Sequence, residues 1–245
     1  MTAASDPRAN RLLSALPSAA LERLLPKLEW VKMAQGQVLL DSGGPPSHAY
    51  FPTTGLAALL YVTENGSTCE ISVIGNEGMV GVSLFMGGGS TPGRAEVQSE
   101  GEGFRIPAHA LKDEFEQSPE LARLLLRFTQ ALITQMTQTA VCNRHHLLDQ
   151  QLCRWLLLSL DRLPGNELRM TQELIASMLG VRREGVTEAA FNLQKAGLIR
   201  YGRGQISVLD RPGLEQRSCE CYAVVKREYD RLLTWPVDAG AKKTA

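Results

Sequence analysis

The stretch Thr171 to Ala196, TQELIASMLGVRREGVTEAAFNLQKA, constrains this chain more than any other. Its apolar residues, among them Ile175, Ala176, Leu179, Val181, Val186 and Ala189, are spaced to meet between two short helices crossing at a fixed turn. Ala176 is small enough for close approach, and Gly180 supplies the turn, where a Cβ would be strained. The Thr171 hydroxyl can accept from free N–H groups at a helix start, which predicts a cap on the first of the pair. The layout is a helix-turn-helix. Its bland alternative is a helical hairpin packed inside an ordinary core.

The flanking residues favour nucleic acid. The second helix would carry Arg182, Arg183, Glu184, Thr187 and Glu188 near its start, where side chains reach base edges in the major groove. Arginine can span guanine O6 and N7, and a carboxylate can accept from cytosine N4. Arg200 to Val208 then alternates around Gly202-Arg203-Gly204, predicting a hairpin whose basic tip, Arg203, touches phosphates beside the groove. Charge is distributed to match: residues 1–118 hold 8 Lys/Arg against 13 Asp/Glu, and residues 119–245 hold 18 against 13. An acidic front and a basic back suit a chain that offers only its C-terminal part to a polyanion. The net charge of zero hides this, and a chance partition could also produce so small a difference.

No charged start followed by an apolar stretch marks a signal peptide, and no apolar run approaches the ~18 residues of a membrane span, so a cytoplasmic protein without a membrane partner is expected. Five cysteines, Cys69, Cys142, Cys153, Cys219 and Cys221, form no CxxC pair and leave one over in any full pairing. Free thiols are expected. Cys219-Glu220-Cys221 lacks a second pair or a histidine nearby in sequence, so no metal site is assigned. The histidines His48, His109, His145 and His146 are scattered or paired at a polar break, and read as solvated or satisfied.

Along the chain, residues 1–10 read as disordered, and Arg11 to Leu25 as short helices interrupted at Pro17. From Leu28 to about Pro107, short alternating runs separated by turn clusters predict an antiparallel roll. Nine glycines between Gly75 and Gly103 imply sharp turns or close backbone approach. A helix should begin near Pro107, pause at Ser118-Pro119 and run to about Asn143, with Leu121, Leu125, Phe128, Leu132, Met136 and Ala140 as one apolar stripe, widened by Leu124, Ile133 and Val141. Such a stripe could serve both as a lid over the roll and as a dimer seam, or could simply pack on the roll. Arg144 to Leu147 reads as a hinge, Asp149 to Leu163 as a helix stopped by Pro164-Gly165-Asn166, Pro212 to about Leu233 as a last helix and Asp238 to Ala245 as a loose tail. The fold class is therefore α+β: an N-terminal antiparallel, jelly-roll-like β-roll over 12–118, a long dimerisation helix and hinge over 119–146, and a C-terminal winged helix-turn-helix over 147–233.

This order resembles the Crp/Fnr family of bacterial transcription regulators over nearly all of residues 12–233. MTQELIASMLGVRREGVT and GLIRYGRGQISVLDRPGLE carry the likeness most specifically. The resemblance implies a homodimer joined through the long helices, an effector held in the roll, a palindromic DNA operator and contact with RNA polymerase. It also implies that Arg183 and Glu184 read base edges and that Thr171 meets a phosphate. Glu188 stands where the cyclic-AMP receptor has an arginine, so the operator should differ from that protein's. In the family's cyclic-nucleotide cassette a Gly-Glu pair holds the ribose and an Arg-Ser or Arg-Ala pair holds the phosphate. Here Gly81-Val82 replaces the first pair and Arg94-Ala95 matches the second, with Thr137-Gln138 expected to face the base. Loss of the glutamate leaves buried ribose hydroxyls without their acceptor, at a cost of ~1–3 kcal/mol, which makes a cyclic nucleotide doubtful. The cysteines of the family's N-terminal iron-sulfur set are missing, no haem ligand pair is evident, and no cofactor is expected.

Enzyme signatures are lacking: there is no GxxxxGK, HExxH or GxSxG, and Gly81 to Phe85 misses the last glycine of a nucleophile elbow. The alternative to a DNA-binding regulator is a small-ligand sensor or scaffold that has lost specific DNA reading, since Glu184 and Glu188 would repel misaligned phosphates.

Overall fold

The computed structural model describes residues 6–233. Two short helices, α1 (Arg11–Ser14) and α2 (Ser18–Leu24), are separated at Pro17 as expected. Residues 6–10 depart from the expected disorder: Pro7–Ala9 forms a 3-10 turn and Asn10 is fully buried. The Asn10 carboxamide oxygen accepts from the Leu12 and Leu13 N–H groups, while Nδ2 donates to the carbonyls of Pro52 at 2.8 Å and Gly78 at 2.9 Å. Polar composition alone suggests a loose end here, because the partners of Asn10 lie far along the chain. Residues 1–5 and the predicted tail Asp238 to Ala245 lie outside the described residues.

Seven strands make the roll: β1 (Glu29–Met33), β2 (Val38–Leu40), β3 (His48–Pro52), β4 (Leu56–Val62), β5 (Thr68–Ile74), β6 (Arg94–Ser99) and β7 (Gly101–Pro107). They pair antiparallel as β1-β7-β3 and β2-β6-β4-β5. Within them Met33, Phe51, Leu56, Val73, Val97 and Ile106 fill one core. Helix α3 (Ala108–Gln117) leads to α4 (Pro119–His145), whose N-cap Ser118 accepts from Leu121 N–H.

The apolar surface of α4 divides in two. Leu121, Leu125, Phe128 and Leu132 are buried within the chain. Leu126 and Ile133, 54% exposed each, and Val141, 40% exposed, lie outside it, with Ala140 also exposed. Close approach explains part of the glycine excess, because a Cβ on Gly78 would run into the Phe128 ring and one on Gly75 into the Arg162 side chain.

Helix α5 (Leu148–Leu160) ends earlier than predicted, and β8 (Glu167–Arg169), which was not anticipated, follows. Then come α6 (Gln172–Leu179), α7 (Arg183–Lys195), β9 (Ile199–Gly202) and β10 (Gln205–Val208). The three strands pair in the order β8-β10-β9. The predicted last helix is two helices, α8 (Arg211–Arg217) and α9 (Glu220–Leu233), broken at Ser218-Cys219, where Ser218 is extended.

Arg162, just past α5, joins these parts. Its Nε donates to Glu77 Oε1 at 2.6 Å, Nη1 to the Leu158 carbonyl at 2.6 Å and Nη2 to Gln135 Oε1 at 2.8 Å, and the guanidinium lies 5.2 Å from the centre of the Tyr229 ring. One buried cation thus ties a roll loop, α4, α5 and α9 together. A second contact sets the Ser177 hydroxyl of α6 against that of Thr68 at the start of β5.

Candidate nucleic-acid interface and effector cavity

The crossing of α6 and α7 is set locally. Thr171 Oγ1 accepts from Leu174 N–H at 3.2 Å, and Gly180 at φ 66° ends α6. Gly180 N–H bonds to the Ser177 carbonyl and Val181 N–H to the Ala176 carbonyl, the two reverse bonds of a left-handed helix stop. Buried Ile175, Ala176, Leu179, Val186, Ala189 and Ala190 then lock the pair. A Cβ on Gly185 would press on Leu148, so a glycine here lets α7 lie close to α5.

That packing leaves one face of α7 in solvent. Arg182, Arg183, Glu184, Thr187 and Glu188 are all exposed, and none of the four charged residues joins an ion pair among the described residues. The Thr187 hydroxyl is 2.8 Å from Gln172 Oε1, bracing α7 on the first turn of α6. Phe191 continues this face one turn on and is 64% exposed. The spacing 184, 187, 188, 191 is that of a single helical face, a signal that extends the expected set beyond Glu188 to Phe191. An exposed ring there can meet a thymine methyl group.

The hairpin after α7 is a two-residue turn with Arg203 at φ 52° and Gly204 at φ 74°. Both central residues are left-handed, as the type I′ turn that suits strand twist requires. Arg203 therefore sits exposed at the tip. Thr171, Arg183 and Arg203 border one open cleft, while Arg182, Arg183 and Glu184 border a second, whose far wall is the Ser67-Thr68 end of the roll. Every residue assigned to DNA by the sequence reading lies on or beside these clefts or on the exposed face of α7. The Tyr201 hydroxyl donates to the Met170 carbonyl at 3.1 Å and anchors the hairpin; burial pushes its pKa up.

The roll encloses a cavity of about 210 Å³, lined by Gly81, Val82, Arg94 and Ala95 from the expected effector set. From α4 it is Met136, not Thr137 or Gln138, that reaches it. One residue is 100° of helical rotation, which turns Thr137 outward; it is exposed, its hydroxyl donating to the Ile133 carbonyl at 2.9 Å. The lining is largely aliphatic, with Leu59, Leu60, Ile71 and Ile74. Two polar atoms on it lack partners: Ser83 Oγ and Arg94 Nε are buried and unbonded, although Arg94 Nη2 pairs with Glu96 at 3.1 Å. Glu77, the carboxylate five residues before Val82, is engaged by Arg162.

Residues 30–118 match the cyclic nucleotide-binding domain model, and residues 150–217 match the Crp-like helix-turn-helix domain model. The chain belongs to the Crp/Fnr family of transcription regulators. The transcriptional regulator SdrP of Thermus thermophilus is 26% identical over 196 residues, covering 77% of this chain and 93% of that protein. A solved Crp/Fnr-family regulator from Thermus thermophilus superposes with a TM-score of 0.63 at 25% identity, over 78% of this chain and 98% of the other. FixK2 from Bradyrhizobium japonicum gives 0.65 at 17% identity, over 78% and 98%. No described helix is long and apolar enough to cross a membrane.

Proposed function

We propose that this Crp/Fnr-type transcription regulator acts as a homodimer on a palindromic operator, with one α7 entering the major groove of each half-site. The observation that carries the reading is the unpaired, exposed start of α7 beside the left-handed Arg203 tip. Arg183 and Glu184 read base edges, Arg182, Thr187 and Glu188 flank them, and Thr171 and Arg203 meet phosphates. The dimer seam is the exposed row Leu126, Ile133 and Ala140, spaced by seven as one of the two seam positions of a coiled coil is, with exposed Gln130 and Thr137 at the other. Two reading helices then lie about 34 Å apart, one turn of DNA. RNA polymerase is the partner through which the bound dimer would act.

For the roll we propose a small ligand with an aliphatic body and one acceptor or anionic group, received by Ser83 and Arg94. The two unpartnered donors in an otherwise apolar lining support this, and the absence of a free carboxylate beside Val82 counts against a ribose. The test is selection of bound duplexes from random DNA by the purified protein without added ligand, at near-physiological salt, then Arg183→Ala on the winning sequence. A palindrome whose preference relaxes at one base pair per half-site supports the reading. No enrichment with or without cyclic nucleotides and short carboxylic acids would overturn it.

A further inference from the structure

Where α4 ends, three sulfurs and an imidazole converge. Cys142 lies buried on its last turn, His146 is its C-cap, Cys219 sits at the break between α8 and α9, and Cys221 is on the first turn of α9. One ligand atom from each lies within 4.8 Å of all the others. Cys142 Sγ is 3.5 Å from Cys219 Sγ, and Cys221 Sγ is 3.6 Å from His146 Nδ1. All three cysteines are free thiols, and they form a cluster separate from the main hydrophobic core. A tetrahedral ion with Zn–S of about 2.3 Å and Zn–N of about 2.0–2.1 Å sets its ligand atoms roughly 3.5–3.8 Å apart. Both of these pairs already have that separation.

The histidine is oriented independently. Its Nε2 stands 3.3 Å from Glu220 Oε1, which holds the far nitrogen in a carboxylate contact and leaves Nδ1 facing the sulfurs. Gln151 Nε2 fixes the same stretch of backbone by donating to the His146 carbonyl at 2.9 Å and the Cys142 carbonyl at 3.4 Å. Three thiolates on a divalent ion leave a net charge of −1. Arg154, buried with Nη1 on Thr139 one turn of α4 before Cys142 and Nε unbonded, supplies the opposite charge.

We propose that Cys142, His146, Cys219 and Cys221 form a closed Cys₃His site for a thiophilic tetrahedral cation, Zn²⁺ by its donor set. Four protein ligands leave no open position, so the ion is structural. It staples the end of the long helix to the segment that begins just after the Crp-like helix-turn-helix match ends at residue 217. The hinge at residues 146–147 is thereby held, along with the angle at which α5 to α7 leave α4.

Full-length protein, purified reduced without a polyhistidine tag or chelator, should carry one zinc per chain by elemental analysis. Of its five thiols Cys69 should react freely with a thiol reagent, the three of the site should react only after a chelator is added, and Cys153, buried in α5, should stay unreactive in both conditions. Stripped protein titrated with Co²⁺ should develop the intense visible absorption of a tetrahedral thiolate complex. Cys221→Ser should weaken Co²⁺ binding by more than 100-fold. Glu220 is exposed, so Glu220→Gln leaves the fold intact and should weaken binding 10–100-fold by loosening the imidazole. Folded, stripped wild type that takes up Co²⁺ without the thiolate spectrum would overturn the proposal, as would zinc retained equally by Cys221→Ser.

Discussion

Arg162 precedes the helix-turn-helix and Arg183 opens its second helix, and the two behave oppositely. Arg162 is 5% exposed and directs its guanidinium to Glu77, Leu158 and Gln135 within the chain. Arg183 is exposed and in no ion pair among the described residues. A guanidinium satisfied inside the chain fixes how parts meet, whereas one left in water is available to a polyanion. The junction should therefore govern stability and the α7 face should govern recognition.

The largest test of that contrast is Arg162→Ala. It leaves Glu77 buried without its cation, and breaking such a pair costs about 3–5 kcal/mol. Urea unfolding should show this loss, while Arg183→Ala should change stability by less than about 0.5 kcal/mol, the usual range for exposed sites. Equal losses would erase the distinction.

The junction side can be sharpened by pH. Burial pushes the Glu70 carboxyl on β5 up to about 7, although the Trp155 indole, Arg154 and Gln98 act in the other direction. Between the ordinary glutamate range and pH 7 the native chain keeps a proton that the unfolded chain releases. Stability is thus greatest below the unfolded value and falls as pH rises through 7, by roughly 3 kcal/mol in all. Glu70→Gln, which can still accept from Gln98, should remove that slope and raise stability at pH 8. An unchanged slope would assign the pH dependence to other groups.

These regions were not equally legible in sequence. Local chemistry marks the α7 face proposed to read DNA: a capping threonine, a glycine at a left-handed stop and arginines at a helix start are all written within a few residues. Junction and hinge needed contacts between residues far apart, Glu77 with Arg162, Asn10 with Gly78 and Cys142 with Cys219, which no periodicity records. Cys219-Glu220-Cys221 has no histidine near it in sequence because His146 is 73 positions before Cys219 in the chain. Helix phase was the third failure, since apolar spacing marked the α4 stripe without saying which side another chain could cover. The same uncertainty of phase put Thr137 and Gln138 where Met136 reaches.

On the recognition side, Arg183→Ala should cost about 1–3 kcal/mol on the operator and relax one base pair per half-site. Competition assays with single-position operator variants read this directly. A uniform loss over all variants would make Arg183 a phosphate contact instead.

The smallest expected effect separates the two roles within one residue. Arg203 holds φ 52°, a conformation in which a non-glycine side chain is strained and asparagine is favoured. Arg203→Asn should therefore stabilise the fold by up to about 1 kcal/mol, since left-handed backbone costs most other residues ~1–2 kcal/mol. The same change removes a phosphate contact, so affinity should drop on every DNA sequence, with the salt dependence shallower by about one counterion. Stability and affinity would move in opposite directions, as a side chain kept at the tip for its charge requires. If affinity held while stability rose, the hairpin tip would not touch DNA, and recognition would rest on α7 alone.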